Sequence, residues 1–280
     1  MNPDHIAQCA QLAILLELSS GPKPGNVDRC HDFFDIGFSH FIASAVSAYP
    51  SFRKAASGRG CLGEILLEAV ETWQEWKIPG NTHFGSLVLM IPLAIAAGRP
   101  GSLRINLIKA LKESTIRDAI FFYRAFELVN PRVAEVAEYD LKEPDAIEKL
   151  RHDSRTLLDL MFLSKDHDLI AAEWSTNYER SFEIADLIVR NISLFGLNEG
   201  IVRTYLQALA DVPDSLVRTK HGLKKAQEVA IRAKIALEDE SLTRAKKLDL
   251  QLLEEDVNPG STADIIAASL FISLLGGLRF

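Results

Sequence analysis

The sequence predicts an all-α protein in which residues 1–280 form one large multi-helix domain. Three observations support this. Apolar residues recur at helical spacing over most of the chain, proline and glycine separate the helical segments, and no alternating strand pattern, internal repeat or low-complexity linker is present. A hydrophobic content of 48% is enough for a substantial buried core.

Six helices are predicted in the first half of the chain. Ile6, Ala10 and Ala13 share one face of the first helix, which residues 19–21 end, and Pro50 ends the second. The predicted ranges are 5–18, 41–49, 61–76, 86–97, 102–112 and 116–129.

Residues 130–144 have no clear period, so we expect an extended connection there. Further helices are predicted over 144–150, 155–163, 165–192, 198–210 and 223–238. Residues 246–256 carry mixed charge and are expected to be exposed, whereas residues 265–275 are apolar enough for a buried helix.

Composition excludes several classes of protein. A formal net charge of −7 and a pI near 5.6 argue against a nucleic-acid partner bound through a basic surface. Cys9, Cys30 and Cys61 are too few and too scattered for a disulfide framework or a thiolate metal site. The N-terminus does not resemble a signal peptide, and the apolar windows are too short to span a membrane, so we expect a soluble, cytoplasmic protein.

The first polar break, residues 21–41, contains two prolines, two histidines and several acids. On a helix, Asp28, Asp32 and Asp35 would lie at i, i+4 and i+7, on one face. Because like charges at this spacing repel each other, a cation is expected to compensate them. The alternative is a solvated helix start, where aspartate is common.

Two further breaks carry groups suited to anions. Residues 78–85 place Asn81, Thr82 and His83 at the head of an apolar helix, where first-turn N–H groups are available. The alternative is an N-cap by Asn81 or Thr82 with a structural His83. Residues 213–222 form the most concentrated basic cluster, which suits a triphosphate. The alternative there is a helix start whose basic residues pair with surface acids.

The fourth break, residues 258–264, is a turn with N-cap residues that leads into the last helix, and as a cap it needs no other function. In a helical domain, the heads of several antiparallel helices can meet at one pole. We therefore expect the four loop-to-helix junctions to form a site for a phosphate-rich ligand with Mg²⁺, which is usually held by one or two carboxylates and substrate phosphates.

Residues 22–29, 81–85, 214–222 and 259–264 resemble, in this order, the signatures of the triphosphoribosyl-dephospho-CoA synthase family. The resemblance implies an all-helical enzyme that transfers the triphosphoribosyl part of ATP to the 2′-hydroxyl of 3′-dephospho-CoA and releases adenine. The product is the precursor of a prosthetic group on acyl-carrier subunits. A carboxylate would stabilise the oxocarbenium-like transition state, and a base and an acid would move protons.

The resemblance also implies site residues. Asp28 would hold Mg²⁺ on the triphosphate together with Asp32 or Asp35, which are chosen by their chemistry because the two acids that follow in the family have no clean counterparts here. Asp28, His83 and Asp264 are the expected catalytic residues. Asp264 would also orient the turn that contains Ser261. The residues expected to bind substrate or phosphate are Lys23, Arg29, Asn81, Thr82, Arg218, Lys220, His221 and Ser261.

The sequence also departs from the family pattern. The segment after Asp28 is two residues shorter, Phe84 replaces a lysine, and Lys220 and His221 precede Gly222 where the family has Arg-Gly-Gly. These departures resemble a branch from organisms with tetrahydromethanopterin and methanofuran carriers. A related ATP-dependent ribosyl or phosphoribosyl transferase acting on a C1-cofactor precursor is therefore one alternative, and a non-catalytic nucleotide-binding protein is another. The apolar residues 274–280 suggest a homodimer.

Overall fold

The computed structural model describes residues 1–29, 36–131, 139 and 146–280, and in this part of the chain all regular structure is helical. The all-α prediction is confirmed. The helices are α1 (Pro3–Ser19), α2 (Phe38–Ser47), α3 (Tyr49–Ala56), α4 (Leu62–Glu75), α5 (Phe84–Gly98), α6 (Leu103–Lys112), α7 (Ile116–Val129), α8 (Ala146–Asp153), α9 (Leu157–Ser164), α10 (Leu169–Ser175), α11 (Glu179–Phe195), α12 (Leu197–Asp211), α13 (Ser215–His221), α14 (Leu223–Leu237), α15 (Thr243–Glu254) and α16 (Gly260–Leu275).

The helices group into two compact units. Unit 1 contains residues 1–12 and 39–179, and unit 2 contains residues 13–38 and 180–280. The prediction of a single domain over residues 1–280 stays a prediction. No single described helix is both long and apolar enough to cross a bilayer; α5 and α6 meet the length and composition criteria only as a pair bent by 118°.

Unit 1 is built around α5, whose residues are buried on all sides and which packs against α3, α4, α6 and α10. Pro92 lies inside α5 and has no N–H group, so the carbonyl of Val88 loses its helical donor. The Trp174 indole N–H donates to that carbonyl at 3.3 Å, and the Tyr178 hydroxyl donates to the next carbonyl, Leu89, at 3.1 Å. Buried aromatic donors thus compensate for a proline in the central helix.

Unit 2 is built around α16, which is apolar and almost wholly buried. It packs against α12 and α13, and α14 packs against α12, α13 and α15. Arg232 of α14 and Glu255 after α15 form an ion pair of 3.1 Å on the outside. The expectation that residues 246–256 are exposed is wrong for one face of α15, which buries Leu248, Asp249 and Leu252.

Three other predictions need correction. The predicted helix over 165–192 is two helices, because Asn177 and Tyr178 adopt positive φ angles of 56° and 61° between α10 and α11. Pro50 does not end a helix but lies in the first turn of α3, where its missing N–H costs nothing. The last helix begins at Gly260 and not at residue 265. In the predicted 130–144 connection, residues 132–138 and 140–144 lie outside the described residues.

Candidate functional site

The segment 20–29, which follows α1, is a buried loop held by hydrogen bonds from unit 2. The Gly25 N–H donates to the Asp249 carboxylate at 2.9 Å. Gly25 has φ +77°, and a side chain there would overlap the backbone carbonyl of Val257. The Asn26 amide donates to the Tyr205 hydroxyl, which donates to the Pro24 carbonyl at 3.0 Å. The loop therefore fits against α12, α15 and the turn before α16.

Asp28 lies in this loop and not on a helix, so the predicted helical face shared by Asp28, Asp32 and Asp35 is wrong at its first member. The Pro-Gly turn and the ties to α12 and α15 keep the backbone out of the helical region. Asp32 and Asp35 lie outside the described residues. Among the described residues, no group of three or more His, Cys, Asp or Glu is arranged to hold a metal ion.

The Asp28 carboxylate is buried against Gly21, where a side chain would overlap its Oδ2 atom. Asn198 holds Gly21 in place through both backbone groups: its Oδ1 accepts from the Gly21 N–H at 3.1 Å, and its Nδ2 donates to the Gly21 carbonyl at 2.9 Å. The Asp28 carboxylate therefore lies against a residue that Asn198 holds through both of its backbone groups. Arg29, the next residue, is exposed.

Lys23 is fully buried and forms an ion pair with Glu17 at the end of α1. Its ammonium lies 3.2 Å from Glu17 Oε1 and donates to the Ser20 carbonyl at 3.0 Å. Burial raises the pKa of Glu17; the charge of Lys23 acts in the opposite direction, and the charge of Asp28 adds to the increase. The loop and the end of α1 thus contain two buried carboxylates and one buried ammonium.

Asp214 joins the third and fourth motifs. Its Oδ1 accepts from the N–H groups of Leu216 and Val217 at 2.9 and 3.0 Å, which caps α13. Its Oδ2 accepts from the Thr262 N–H at 2.7 Å and from the Thr262 hydroxyl at 2.8 Å, in the first turn of α16. Burial raises the pKa of Asp214, and these hydrogen bonds act in the opposite direction.

The same junction is closed by two further contacts. The Ser215 hydroxyl donates to Ser261 Oγ at 2.9 Å, and Gly260 lies against the Leu216 side chain. The predicted N-cap by residues of the fourth motif itself is wrong, because α16 has Pro259 at its N-cap without a side-chain cap. Asp214 from another helix satisfies Thr262 instead.

The basic cluster lies at the other end of α13. Arg218, Lys220 and His221 are in its last turn, where the helix dipole favours cations. A helix does start within residues 213–222, and the pairing of its basic residues with surface acids stays a prediction. Arg218 and Lys220 are half-buried, and His221 is exposed with Nε2 3.1 Å from the Asp256 carbonyl. Asp264 is half-buried in α16.

The second motif lies in unit 1, at the start of α5. Asn81 Oδ1 accepts from the Phe84 N–H at 3.0 Å, but the N-cap residue of α5 is His83, so the alternative of an N-cap by Asn81 or Thr82 is wrong. His83 is buried, with Nδ1 2.6 Å from the Ser44 hydroxyl and its ring at 89° to that of Phe41. Thr82 is half-buried next to it.

Phe84 lies at the position where the family that this sequence resembles has a lysine. Its ring packs against Phe122 and Phe126, with centroid distances of 5.8 and 6.3 Å. This position is thus part of an aromatic cluster in unit 1. It has no charge to offer to an anion.

Three of the four motifs meet in unit 2, and the second motif belongs to unit 1. The convergence of all four at one pole stays a prediction. Sequence reasoning assigned no role to several buried polar residues that hold the motifs, which are Glu17, Ser44, Tyr205, Asp214 and Asp249. Spacing contained a signal for one of them, because Glu17 falls on the apolar face of α1 at i+4 from Ala13 and i+7 from Ala10.

The chemistry available in unit 2 is that of buried carboxylates beside hydroxyl groups, with a basic cluster on the same short helix. Carboxylates of this kind can stabilise a developing cation or take a proton from an alcohol. Lysine and arginine side chains suit phosphate groups. This combination fits transfer of a phosphorylated sugar better than it fits redox or thiol chemistry.

Comparison with known proteins gives concordant results. A model of the ATP:dephospho-CoA triphosphoribosyl transferase family matches residues 3–279. Two proteins of Streptococcus equi, from subspecies equi and zooepidemicus, are assigned as 2-(5″-triphosphoribosyl)-3′-dephosphocoenzyme-A synthases; each is 25% identical, with 97% of both chains covered. A crystal structure from Archaeoglobus fulgidus, assigned as a triphosphoribosyl-dephospho-CoA synthase, has 29% identity and a TM-score of 0.72, covering 85% of this chain and 100% of that one.

Proposed function

The chain belongs to the ATP:dephospho-CoA triphosphoribosyl transferase family, and we propose that it transfers the triphosphoribosyl group of ATP to the 2′-hydroxyl of 3′-dephospho-CoA with release of adenine. The observation that carries this proposal is the meeting of three family-like motifs in unit 2, where Gly25 lies against Pro259, Asp214 accepts from Thr262 and Ser215 donates to Ser261. The first of these motifs carries a buried acid and a buried lysine in one loop.

In the proposed reaction, the bond between ribose C1′ and adenine N9 breaks and its electron pair goes to the base, which takes up a proton. The acceptor oxygen bonds to C1′ and loses its proton. Positive charge builds up on the ribose in the transition state, and a carboxylate stabilises it. We assign this role to Asp28, proton transfer to His83, and orientation of the first turn of α16 to Asp264.

Phosphate binding is proposed for the basic and polar residues of the motifs. Arg218 and Lys220 are the stronger candidates, because both are only half-buried, whereas the Lys23 ammonium is fully buried. The other proposed phosphate contacts come from Arg29, Asn81, Thr82, His221 and Ser261.

Mg²⁺ would enter with ATP as part of the substrate. Mg²⁺ in such sites is held by one or two carboxylates together with phosphates and water, so it does not need a cage of three protein ligands. Asp28 is the described member of the proposed ligand set, and Asp32 and Asp35 are its other members.

Phe84 favours a second candidate for the acceptor. Because this residue is buried among aromatic rings, the position of the family lysine supplies no charge here. A changed acceptor, such as the precursor of a tetrahydromethanopterin- or methanofuran-type C1 cofactor, would fit this loss while the ATP half of the reaction is kept.

The test is incubation of the purified protein with ATP and Mg²⁺, alone, with 3′-dephospho-CoA or with a C1-cofactor precursor, followed by chromatography of adenine and mass spectrometry of the product. We expect adenine and the triphosphoribosyl adduct in equal amounts. Adenine formed only with a C1-cofactor precursor would establish the second candidate. ATP binding without adenine release under any of these conditions would refute transfer and leave a non-catalytic nucleotide-binding protein.

Asp28→Asn is the variant that tests the assigned carboxylate. We expect adenine release to fall by at least about 100-fold, the scale of losing one general acid–base or charge-stabilising group. Asp186→Asn is the matched control, since Asp186 is an exposed acid on α11 of the same unit. Undiminished turnover of Asp28→Asn would remove Asp28 from the site.

A homodimer is also proposed, through the C-terminal residues. Phe280 is 64% exposed at the end of the chain, whereas Leu274 is buried in α16. Light scattering of the full-length protein and of the Phe280→Ser variant tests this. A monomer in both cases would refute it.

A further inference from the structure

Asn258 lies in unit 2 between the loop that follows α1 and the start of α16. Its two chain neighbours, Val257 and Pro259, are buried, and a side chain added at Gly25 of that loop would meet both of them. Asn258 itself is only half-buried. Part of this residue therefore reaches the surface of unit 2 at the place where the first and fourth motifs meet.

The side-chain oxygen of Asn258 is buried and has no hydrogen-bond partner among the residues that the structure describes. A side chain added at Gly260 would lie 3.5 Å from this Oδ1 atom and 2.9 Å from Cδ2 of Leu216 in α13. The oxygen thus lies beside the start of α16 and near an apolar side chain of the third motif. A buried acceptor without a donor is unfavourable, and nearly all such groups in folded proteins are paired.

A buried amide elsewhere in unit 2 is satisfied within the protein. Asn191 Nδ2 donates to the Thr204 hydroxyl at 3.0 Å. Asn258 uses its backbone in this way, because its main-chain carbonyl accepts from the Gly260 N–H at 2.9 Å. The backbone of Asn258 therefore shapes the turn before α16, and its side-chain oxygen is left for a donor that the described residues do not supply.

We infer that Asn258 is a specificity-determining residue of the nucleotide site: its Oδ1 accepts a hydrogen bond from the exocyclic amino group of the adenine of ATP. This inference rests on the proposed function, which makes ATP the substrate. An uncharged amide oxygen suits the neutral N–H of a base, and Leu216 and Pro259 are apolar neighbours of the kind that line such pockets. The phosphates of ATP need cationic side chains instead.

Selectivity for adenine follows from the need for a donor. In ATP the amino group supplies it, whereas inosine triphosphate (ITP) has a carbonyl oxygen at that position, so two acceptors would face each other. A site that hydrogen-bonds a substrate group rejects an analogue without that group, because the buried polar atom stays unpaired. The protein without nucleotide already contains the unpaired oxygen. Asn258→Leu, which has nearly the same shape, should therefore be no less stable than the wild type without nucleotide.

The experiment measures binding of ATP, ITP and 2′-deoxy-ATP, each with Mg²⁺, to the full-length protein by isothermal titration calorimetry, with urea unfolding of each variant. We expect the wild type to bind ATP at least about 10-fold more tightly than ITP, the scale of one hydrogen bond. In Asn258→Leu the two affinities should agree within about 3-fold, mainly because ATP binds more weakly. Asn258→Ser, whose side chain is shorter, should show the same change.

Asn191→Leu is the matched control. It removes a buried amide that is paired inside unit 2, so it should lower stability and leave the ratio of the ATP and ITP affinities unchanged. A variant at Asn258 that behaves like this control would have only a structural role.

Equal affinities of the wild type for ATP and ITP would overturn the inference, and so would an ATP preference kept by either folded Asn258 variant. If these variants instead lose a preference for ATP over 2′-deoxy-ATP, the oxygen binds the ribose, which also overturns it. Unfolding of both variants would show the structural role. ATP binding with the expected selectivity but without adenine release would refute the proposed function alone, and absence of ATP binding would refute both.

Discussion

Asp214→Asn perturbs the residue that joins α13 to α16. Asp214 accepts four hydrogen bonds, two on each oxygen. An asparagine can keep its oxygen toward Leu216 and Val217 and place its NH₂ group toward Thr262. The Thr262 hydroxyl can rotate to accept, but the Thr262 N–H then faces another donor.

The magnitude follows from these contacts. One buried N–H without a partner costs about 1–3 kcal/mol, and the remaining hydrogen bonds weaken because the acceptor has lost its charge. Removal of the buried charge offsets part of this loss. We expect Asp214→Asn to lower the free energy of unfolding by about 2 kcal/mol at pH 7, and Asp214→Ala, which leaves three N–H groups without this acceptor, by roughly 4 kcal/mol.

The pH dependence has a definite sign. Because burial raises the pKa of Asp214 in the folded state, its contribution to stability is fully present below the unfolded pKa, near 3.8, and is lost as pH rises through the folded pKa. The asparagine variant lacks this titration. The stability difference between wild type and Asp214→Asn should therefore be larger at pH 4 than at pH 7.

The assay is urea unfolding at both pH values, followed by circular dichroism and by tryptophan fluorescence. All three tryptophans, Trp73, Trp76 and Trp174, lie in unit 1, so the two signals separate the units if they unfold separately. The exposed Asp186→Asn control should change stability by less than about 0.5 kcal/mol. If the stability difference between wild type and Asp214→Asn is instead larger at pH 7 than at pH 4, the hydrogen bonds outweigh burial in setting the pKa of Asp214, and the prediction is refuted.

Two further predictions concern single residues. Gly25→Ala adds a side chain at φ +77° that overlaps the Val257 carbonyl, whereas the side chain of Gly222→Ala at φ +87° meets open space. Backbone strain should lower the free energy of unfolding by about 1–2 kcal/mol in both variants. The overlap should lower it by at least about 2 kcal/mol more in Gly25→Ala, as measured by urea unfolding. Equal effects would contradict the tight fit of the loop. Burial raises the pKa of Cys61 to about 11. The rate of iodoacetamide labelling of the Cys61 peptide should therefore be low at pH 8 and increase about tenfold per pH unit up to pH 10. The urea-unfolded chain, as the control, should be labelled fast. A plateau near pH 9 would contradict this pKa.

The helices were largely predictable because their signal is local. The apolar period of 3.6 residues and the breaks at proline and glycine identified α1, α4 to α7 and α12 within a few residues. The apolar period did not predict the break between α10 and α11. Asn177 and Tyr178 adopt positive φ angles there, and the spacing of apolar residues does not indicate such angles. The helix prediction also failed at Asp28, because a regular spacing of acids does not require a helix.

The candidate site was predictable as a set of motifs but not as an arrangement. The loop 20–29 and the motifs around Asp214 and Ser261 stood out by composition, and their order matched a family. The local pattern did not indicate the long-range contacts. Asp214 accepts from the first turn of a helix 48 residues away, and Asp249 holds Gly25 across 224 residues. The position of the basic cluster in the last turn of α13 was also not predicted, because the sequence analysis assigned no helix to residues 215–221.

By itself, the sequence determined the helical class, the positions of most chain breaks and the kind of chemistry that the polar segments can supply. These depend on backbone preferences and on the period with which side chains emerge from a helix, which are properties of neighbouring residues. Only the tertiary structure decided which acids are buried, which donor each one satisfies and which helices share a cap. The reason is that a buried polar group needs a hydrogen-bond partner, and packing can bring that partner from any distance along the sequence.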